Sequence, residues 1–364
     1  MHLTRRQLGH TLAGATLLSR LPAQLDAAED SSPIGYAIIG LGRISMQHFM
    51  PGVKGSSKCK ITGLVSGHRE KAEKMAAEYG VPAKSIYTYE NMDGIAGNKD
   101  IHAVYVALPN SMHAEYTIRS AKAGKHVLCE KPMATSIRDS QAMIDACRKA
   151  GKKLMIAYRC QLEPTNLAAI QMIRDGRLGS VQAISSTNGF NIKPGEWRCD
   201  RKLAGGGPLM DVGIYSLNAC RYLTGEEPAS IEGSSSVIDQ DGRFKDVEEN
   251  LAWTMKFPSG VIASCVTTYG ANMPGAYTVF GSKGTLHMEP AFAYQGISLT
   301  AKFTAQKEPV QQTEEERDPA QFQREAEHLA DCIHNGKEPK PNGEEGLKDM
   351  KWMEKIYAAC KKSS

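Results

Sequence analysis

Short apolar runs that alternate with helical stretches, the first running straight into Gly40-Leu41-Gly42, constrain this chain more than any other feature. Residues 36–40, 61–66, 103–107, 126–129 and 153–158 read as buried strands. Residues 68–79, 112–123 and 136–150 carry helical spacing, and each stretch closes on a glycine, namely Gly80, Gly124 or Gly151. Parallel neighbours need a crossover connection, and a helix supplies one. The spacing therefore predicts a doubly wound parallel sheet of α/β class over residues 31–158.

Near Arg159 the pattern changes. Runs at 230–238, 251–257, 261–268 and 277–280 are β-rich and joined by turns such as Pro258-Ser259-Gly260. They predict a C-terminal α+β domain over residues 159–364 with a large mixed, mainly antiparallel sheet, finished by helices near 321–335 and 343–361. A length of 364 residues suits two domains. With 44 basic against 40 acidic residues the net charge is only +4, which supplies no footprint for nucleic acid. Nine cysteines occur with no C-x-x-C pair, so neither a zinc ribbon nor dithiol redox chemistry is signalled, and no metal is expected.

Residues 1–30 are set apart. Thr4-Arg5-Arg6-Gln7-Leu8-Gly9 precedes an apolar stretch over 12–18 and then a small, polar segment. That order is a twin-arginine export signal, with the periplasm as destination. The apolar stretch is too short to span a bilayer, so no membrane is expected for the mature form.

The glycine turn gives the first candidate site. Gly40 and Gly42 would let the backbone approach a pyrophosphate resting on the helix N-terminus that Arg43, Ile44 and Ser45 open. Ser45 stands where a third glycine is usual. At the end of the second strand, Val65-Ser66-Gly67-His68-Arg69-Glu70-Lys71 lacks the carboxylate that would accept from a ribose 2′-hydroxyl. Ser66, Arg69 and Lys71 would instead welcome a 2′-phosphate, so NADP is the expected cofactor.

Two further strand ends carry chemistry-capable residues, Asn110 to His113 and Glu130-Lys131-Pro132. A lysine there, desolvated and facing a cationic nicotinamide, would favour its neutral form and exchange protons. In the second domain a glycine–proline loop, 205–208, feeds a helix on which Asp211 and Tyr215 stand four residues apart. Both could face Lys131 across a cleft; equally, Asp211 could support the helix start and Tyr215 pack in the core.

Together, Gly40-Leu41-Gly42, Pro109-Asn110 with His113, Glu130-Lys131-Pro132 and the Asp211 helix resemble the Gfo/Idh/MocA oxidoreductase family over nearly the whole chain after residue 33. Many members place histidine four residues after the aspartate. Tyr215 here, with the wording of 204–215 and 343–346, resembles the glucose–fructose oxidoreductase branch. The resemblance implies that tightly held NADP takes hydride from an aldose, which leaves as a lactone, and gives it to a second sugar, which leaves as a polyol. It implies that Lys131 and Tyr215 handle the proton and that Asp211 orients the sugar or the tyrosine. It also implies a cofactor lining that includes Tyr89, Asn110, His113, Glu130, Lys131, Arg159, Trp197 and Arg198, and a homo-oligomer, dimer or tetramer, formed through an exposed sheet face. Residues 188–196 are shorter and differently composed than in that branch, which leaves open whether the second sugar is a ketose or an aldose. The alternatives are an NADP-dependent aldose dehydrogenase with dissociable cofactor, a nucleotide-dependent glycosidase and a non-catalytic sensor.

Overall fold

The first strand, β1 (Ile34–Ile39), is buried along its whole length, as a strand covered on both faces must be. A computed structural model describes residues 32–362; the twin-arginine stretch lies outside them. After β1 come α1 (Met50–Lys54), β2 (Cys59–Val65), α2 (Arg69–Tyr79), the two-residue β3 (Ile86–Tyr87), β4 (Ala103–Val106), α3 (His113–Lys122), β5 (His126–Cys129), α4 (Ile137–Lys149) and β6 (Leu154–Ile156). Their sheet runs β3-β2-β1-β4-β5-β6, all parallel. This is the doubly wound order, whose ligand crevice lies beyond the carboxyl ends of the strands where the order reverses, between β1 and β4. Local chemistry sets the helix ends. The Ser136 hydroxyl caps α4 by accepting from the Asp139 N–H at 3.1 Å. Gly80 closes α2 in the left-handed region, at φ +69°.

The second half holds α5 (Pro164–Arg174), β7 (Val181–Gly189), α6 (Arg201–Ala204), α7 (Ile214–Thr224) and then β8 (Ser230–Ser236), β9 (Asn250–Lys256), β10 (Ile262–Thr268), β11 (Met273–Gly281), β12 (Gly284–Met288), β13 (Ser298–Phe303) and β14 (Val310–Thr313). Helices α8 (Ala320–His334) and α9 (Gly343–Lys362) close the chain. The sheet order is β14-β13-β12-β11-β7-β10-β9-β8, antiparallel except where β7 meets β10. β9 and β10 alternate buried and exposed positions, so one face of this sheet is covered and the other open. On the open face Ile262 and Phe280 both register with Ala183 and remain 50% and 42% exposed.

Helix α5 was not anticipated. It begins on Pro164 at its first turn, with the buried Glu163 carboxylate accepting from the Thr165 and Asn166 N–H groups at 2.8 and 2.7 Å.

Sequence position and spatial position part company after residue 319. Helix α8 lays Phe322, Ala326, Leu329 and Ala330 into the cluster that holds Tyr36, Ile38, Phe49 and Tyr105 of the N-terminal half, and the Tyr36 hydroxyl donates to the Ala326 carbonyl at 2.8 Å. The chain thus returns to cover a face of the first sheet. Phe322 alone, fully buried, contributes about 2–3 kcal/mol of apolar transfer.

Candidate active site

The glycine turn is shaped for a ligand. Gly40 sits at φ +98°, and a methyl there would overlap the Ala107 carbonyl. Gly42 faces open space, with nothing within 4 Å of where a Cβ would stand. Ser45 is fully buried and donates to the Gly40 carbonyl at 2.6 Å, so its hydroxyl ties the turn to the helical stretch it begins, where a third glycine would only have left room. At the end of β2 the Ser66 hydroxyl accepts from the His68 N–H at 3.1 Å, and the Tyr89 ring lies 3.3 Å from a Cβ built on Gly67. Ser66, Gly67, His68, Arg69 and Lys71 follow directly on the end of β2, and the one acid among residues 66–71, Glu70, lies in the first turn of α2. Arg69 turns aside onto Glu73, at 2.7 Å across one helical turn. A dinucleotide with a 2′-phosphate fits these residues: an open glycine cradle at one end, and at the other a hydroxyl and cations without a strand-end carboxylate.

From this turn a cavity of about 410 Å³ runs across the first sheet's carboxyl edge to the second half of the chain. Gly42, Arg43, Ile44 and Asn110 line it on one side; Glu130, Lys131, Arg159, Trp197 and Arg198 continue it; Asp211 and Tyr215 lie at the far wall. Gly40, Ser66, Arg69, Lys71 and Tyr89 stand outside this chamber, along the turn and at the end of β2. A second chamber of about 340 Å³ shares Arg43, Lys131, Arg159, Glu196, Arg198, Asp211, Tyr215 and Tyr294 with the first, and is otherwise bordered by Asn188, Phe190, Ile192 and Phe292 among others. The short 188–196 stretch therefore does border a pocket.

Lys131 and Asp211 join the two halves of the chain at the site. The Lys131 ammonium donates to the Asp211 carbonyl at 2.7 Å and to its Oδ1 at 3.1 Å. Oδ2 accepts from Arg198 Nε at 2.9 Å and from the Tyr269 hydroxyl at 3.0 Å. Burial would raise the Asp211 pKa, but Lys131, Arg198 and the hydrogen bonds outweigh it and hold the carboxyl well below the usual range. Asp211 is a fixed anion and carries no proton at working pH. The carboxylate that meets Lys131 lies 80 residues on in the chain, where only tertiary structure could bring it. Asp211 orients Lys131, and Arg198, expected against the cofactor, holds Asp211.

The stretch that delivers Asp211 is a wide helical turn, Leu209–Gly213, continuing into α7. Tyr215 begins α7 with its ring 4.8 Å from the Lys131 ammonium and 5.2 Å from the Arg159 guanidinium. Its hydroxyl accepts from Arg159 Nη2 at 3.4 Å. Burial pushes the phenol pKa up, against the pull of Arg159. Arg159 is buried and fixed by Gln321 Oε1 at 2.6 Å, by the Ala293 carbonyl at 2.8 Å and by the Phe292 carbonyl, so it is a strut between α8 and the second sheet. Arg159 thus both lines the chamber and reaches the phenol. His113 points its ring nitrogens at the Pro132 and Leu108 carbonyls, 2.8 and 2.9 Å away, and burial lowers its pKa to about 4. It ties the β4 end to the loop that carries Lys131, whose bond to Pro132 is cis. The Glu130 carboxyl, raised by burial, accepts from the Tyr105 hydroxyl at 2.5 Å.

Sequence reasoning missed Tyr269, Tyr294, Gln321 and Glu325. A tyrosine immediately before Gly270 at a strand end was a legible signal for Tyr269. Gln321 and Glu325, four apart on α8, were hidden inside an amphipathic pattern read as ordinary packing. Glu325 is buried with both carboxyl oxygens lacking hydrogen-bond partners among the described residues, and burial raises its pKa strongly.

The comparisons with known proteins agree with this layout. Residues 34–158 match a family model described as the oxidoreductase family, NAD-binding Rossmann fold, and residues 166–287 match the GFO/IDH/MocA C-terminal domain. A D-xylose 1-dehydrogenase [NADP(+)] of Haloarcula marismortui is 32% identical over 339 residues, covering 92% of each chain. An aldose-aldose oxidoreductase from Caulobacter crescentus, solved with glycerol, is 44% identical, superposes with a TM-score of 0.87, and is matched over 91% of this chain and 98% of its own. A levoglucosan dehydrogenase solved with NADH and levoglucosan shares the fold, at TM-score 0.79 and 22% identity.

Proposed function

The chain belongs to the Gfo/Idh/MocA oxidoreductase family, and from that premise we propose that it passes hydride from one aldose to a second sugar through an NADP it does not release. It is an NADP-linked sugar oxidoreductase. One observation carries the finer reading: the nucleotide chamber and the sugar chamber share a wall that includes Lys131, Arg159, Arg198, Asp211 and Tyr215. In this reading two sugars occupy the second chamber in turn, and the nucleotide stores the hydride between them. The 44% identical aldose-aldose oxidoreductase supports a second aldose over a ketose.

NADP, when bound, supplies the hydride acceptor and donor. The protein supplies the proton chemistry. Tyr215 Oη exchanges the proton with the reacting sugar oxygen. Arg159, 3.4 Å from Oη, favours the phenolate when that proton is held elsewhere. Lys131, aimed by Asp211, donates to the sugar oxygen and stabilises the charge that develops there as the C–H bond breaks. Asp211 stays ionised throughout and keeps the ammonium in place. The Phe190, Phe292 and Tyr294 side chains give the sugar's C–H faces apolar contact.

Retention also follows from the export reading of residues 1–30, because an enzyme working outside the inner membrane has no maintained NADP pool to draw on. Fractionation of cells expressing the chain with Arg5 and Arg6 changed to Lys tests the export: the protein should move from periplasm to cytoplasm, and an unchanged location refutes it. For the reaction, the purified protein should show nucleotide absorbance that an aldose shifts to the reduced form with no NADP added, and that a second aldose then bleaches. The D-xylose 1-dehydrogenase match over 92% of both chains favours a second reading, a dehydrogenase that releases NADPH. Protein that elutes empty and turns over only with soluble NADP supports that one.

A further inference from the structure

Lys131 is held by a backbone carbonyl as well as by a carboxylate. A side chain can swing to follow its partner; a carbonyl goes only where its chain goes. The backbone that carries the Asp211 carbonyl leaves the glycine run Gly205-Gly206-Gly207, and that run is pinned from two directions. On the cofactor side, Asn110 Nδ2 donates to the Ala204 carbonyl at 2.9 Å. On the far side, the buried Glu248 carboxyl accepts from the Gly207 N–H at 3.1 Å through Oε2 and from the Tyr357 hydroxyl at 2.8 Å through Oε1. The fit is close. A methyl on Gly206 would overlap the Tyr357 hydroxyl, and one on Gly207 would overlap the Glu248 carbonyl. From Gly207 the path to the site is short: its carbonyl accepts from the Met210 N–H at 3.1 Å, and Leu209 and Met210 are buried. Asp211 is the next residue.

We propose that Tyr357 and Glu248 are positioning residues for hydride transfer, setting the glycine turn and through it the Asp211 carbonyl that aims Lys131. Neither touches the two chambers of the site; both border a separate cavity of about 710 Å³ behind the turn. The contact chain runs from α9, through the segment preceding β9, to the catalytic lysine on the opposite half of the protein. It explains why three consecutive glycines precede Pro208: Gly205 adopts φ +83°, and the next two leave space for the brace.

The proposal rests on the oxidoreductase reading above, so its test uses two independent readouts on Tyr357→Phe, which removes only the hydroxyl, and on Glu248→Gln, which keeps an acceptor for Gly207. In Tyr357→Phe the single-turnover rate of aldose-driven nucleotide reduction should fall about tenfold, because misplacement of an ångström or less is costly at a reacting centre. The aldose KM and the nucleotide dissociation constant should stay within about twofold, as the loss is confined to the transition state. Glu248→Gln should retain most of the rate. Amide exchange over residues 205–211 should quicken in Tyr357→Phe. A parental rate with only a lowered Tm, or unchanged exchange over that segment, overturns the proposal. A parent that reduces its nucleotide with no aldose strikes instead at the reaction proposed above, and the exchange measurement still decides the brace.

Discussion

Asp211→Asn isolates the charge at the centre of the site while keeping its shape. In the parent Asp211 pairs with both Lys131 and Arg198, whose side chains are 11% and 34% exposed, while that of Asp211 is 17% exposed, and Glu196 meets Arg198 more loosely at 3.7 Å. The amide can still accept from Lys131, but its NH2 group opposes Arg198 Nε and the Tyr269 hydroxyl, and no anion remains between the two cations. Breaking a buried pair costs about 3–5 kcal/mol. Water screens Arg198, so the lower end applies, about 3 kcal/mol, which lowers the Tm by roughly 4 °C in a chain of this size. The pH dependence is the sharper test. A carboxyl whose folded pKa lies far below its unfolded value near 3.9 contributes its full stability above about pH 5 and loses it as pH falls further. Melting curves of parent and variant should therefore stay separated by a level gap from about pH 8 to pH 5, and converge only below about pH 4. Equal Tm values at neutral pH, or a gap that closes between pH 5 and 7, would show that burial wins over the two cations and that Asp211 is not a fixed anion.

Lys131→Met and Tyr215→Phe should each bind NADP as the parent does yet lose turnover by on the order of 10²-fold or more, the usual size of a lost proton-transfer group; near-parental rates would end their assignment. Ser66→Asp installs the missing acid at the end of β2 and should shift preference from NADP toward NAD, read as the ratio of the two dissociation constants; an unmoved ratio would show the 2′-phosphate to lie elsewhere. Phe280→Glu on the open sheet face should lower the mass seen by light scattering if copies pair through that face. An unchanged mass would refute that pairing.

Much of the fold was legible before any coordinates. The continuous apolar runs at 36–39 and 103–106 could only be strands covered on both sides, and Gly80, Gly124 and Gly151 marked where helices had to stop. β3 was not legible, because two residues carry no period. Helix α5 was overlooked although Pro164 signals a helix start. At the site, Lys131, Asp211 and Tyr215 were nameable because strand ends and a glycine–proline loop announce themselves. Arg198 lines the nucleotide chamber as its position suggests, but its bond to Asp211, 13 residues on in sequence and 2.9 Å away in space, is not legible in the sequence. Nothing in linear order points to that partner.

What the sequence determined by itself is local: which residues alternate, where a backbone must turn left-handed, and where a strand-end carboxylate is missing. Those properties belong to single elements and their immediate neighbours, so period and residue type suffice to read them. Tertiary structure decided the partner of the lysine, the fixed charge of the aspartate and the return of α8 across the first sheet. Each of these depends on groups far apart in the chain sharing one desolvated volume, where the pairing of opposite charges outweighs burial.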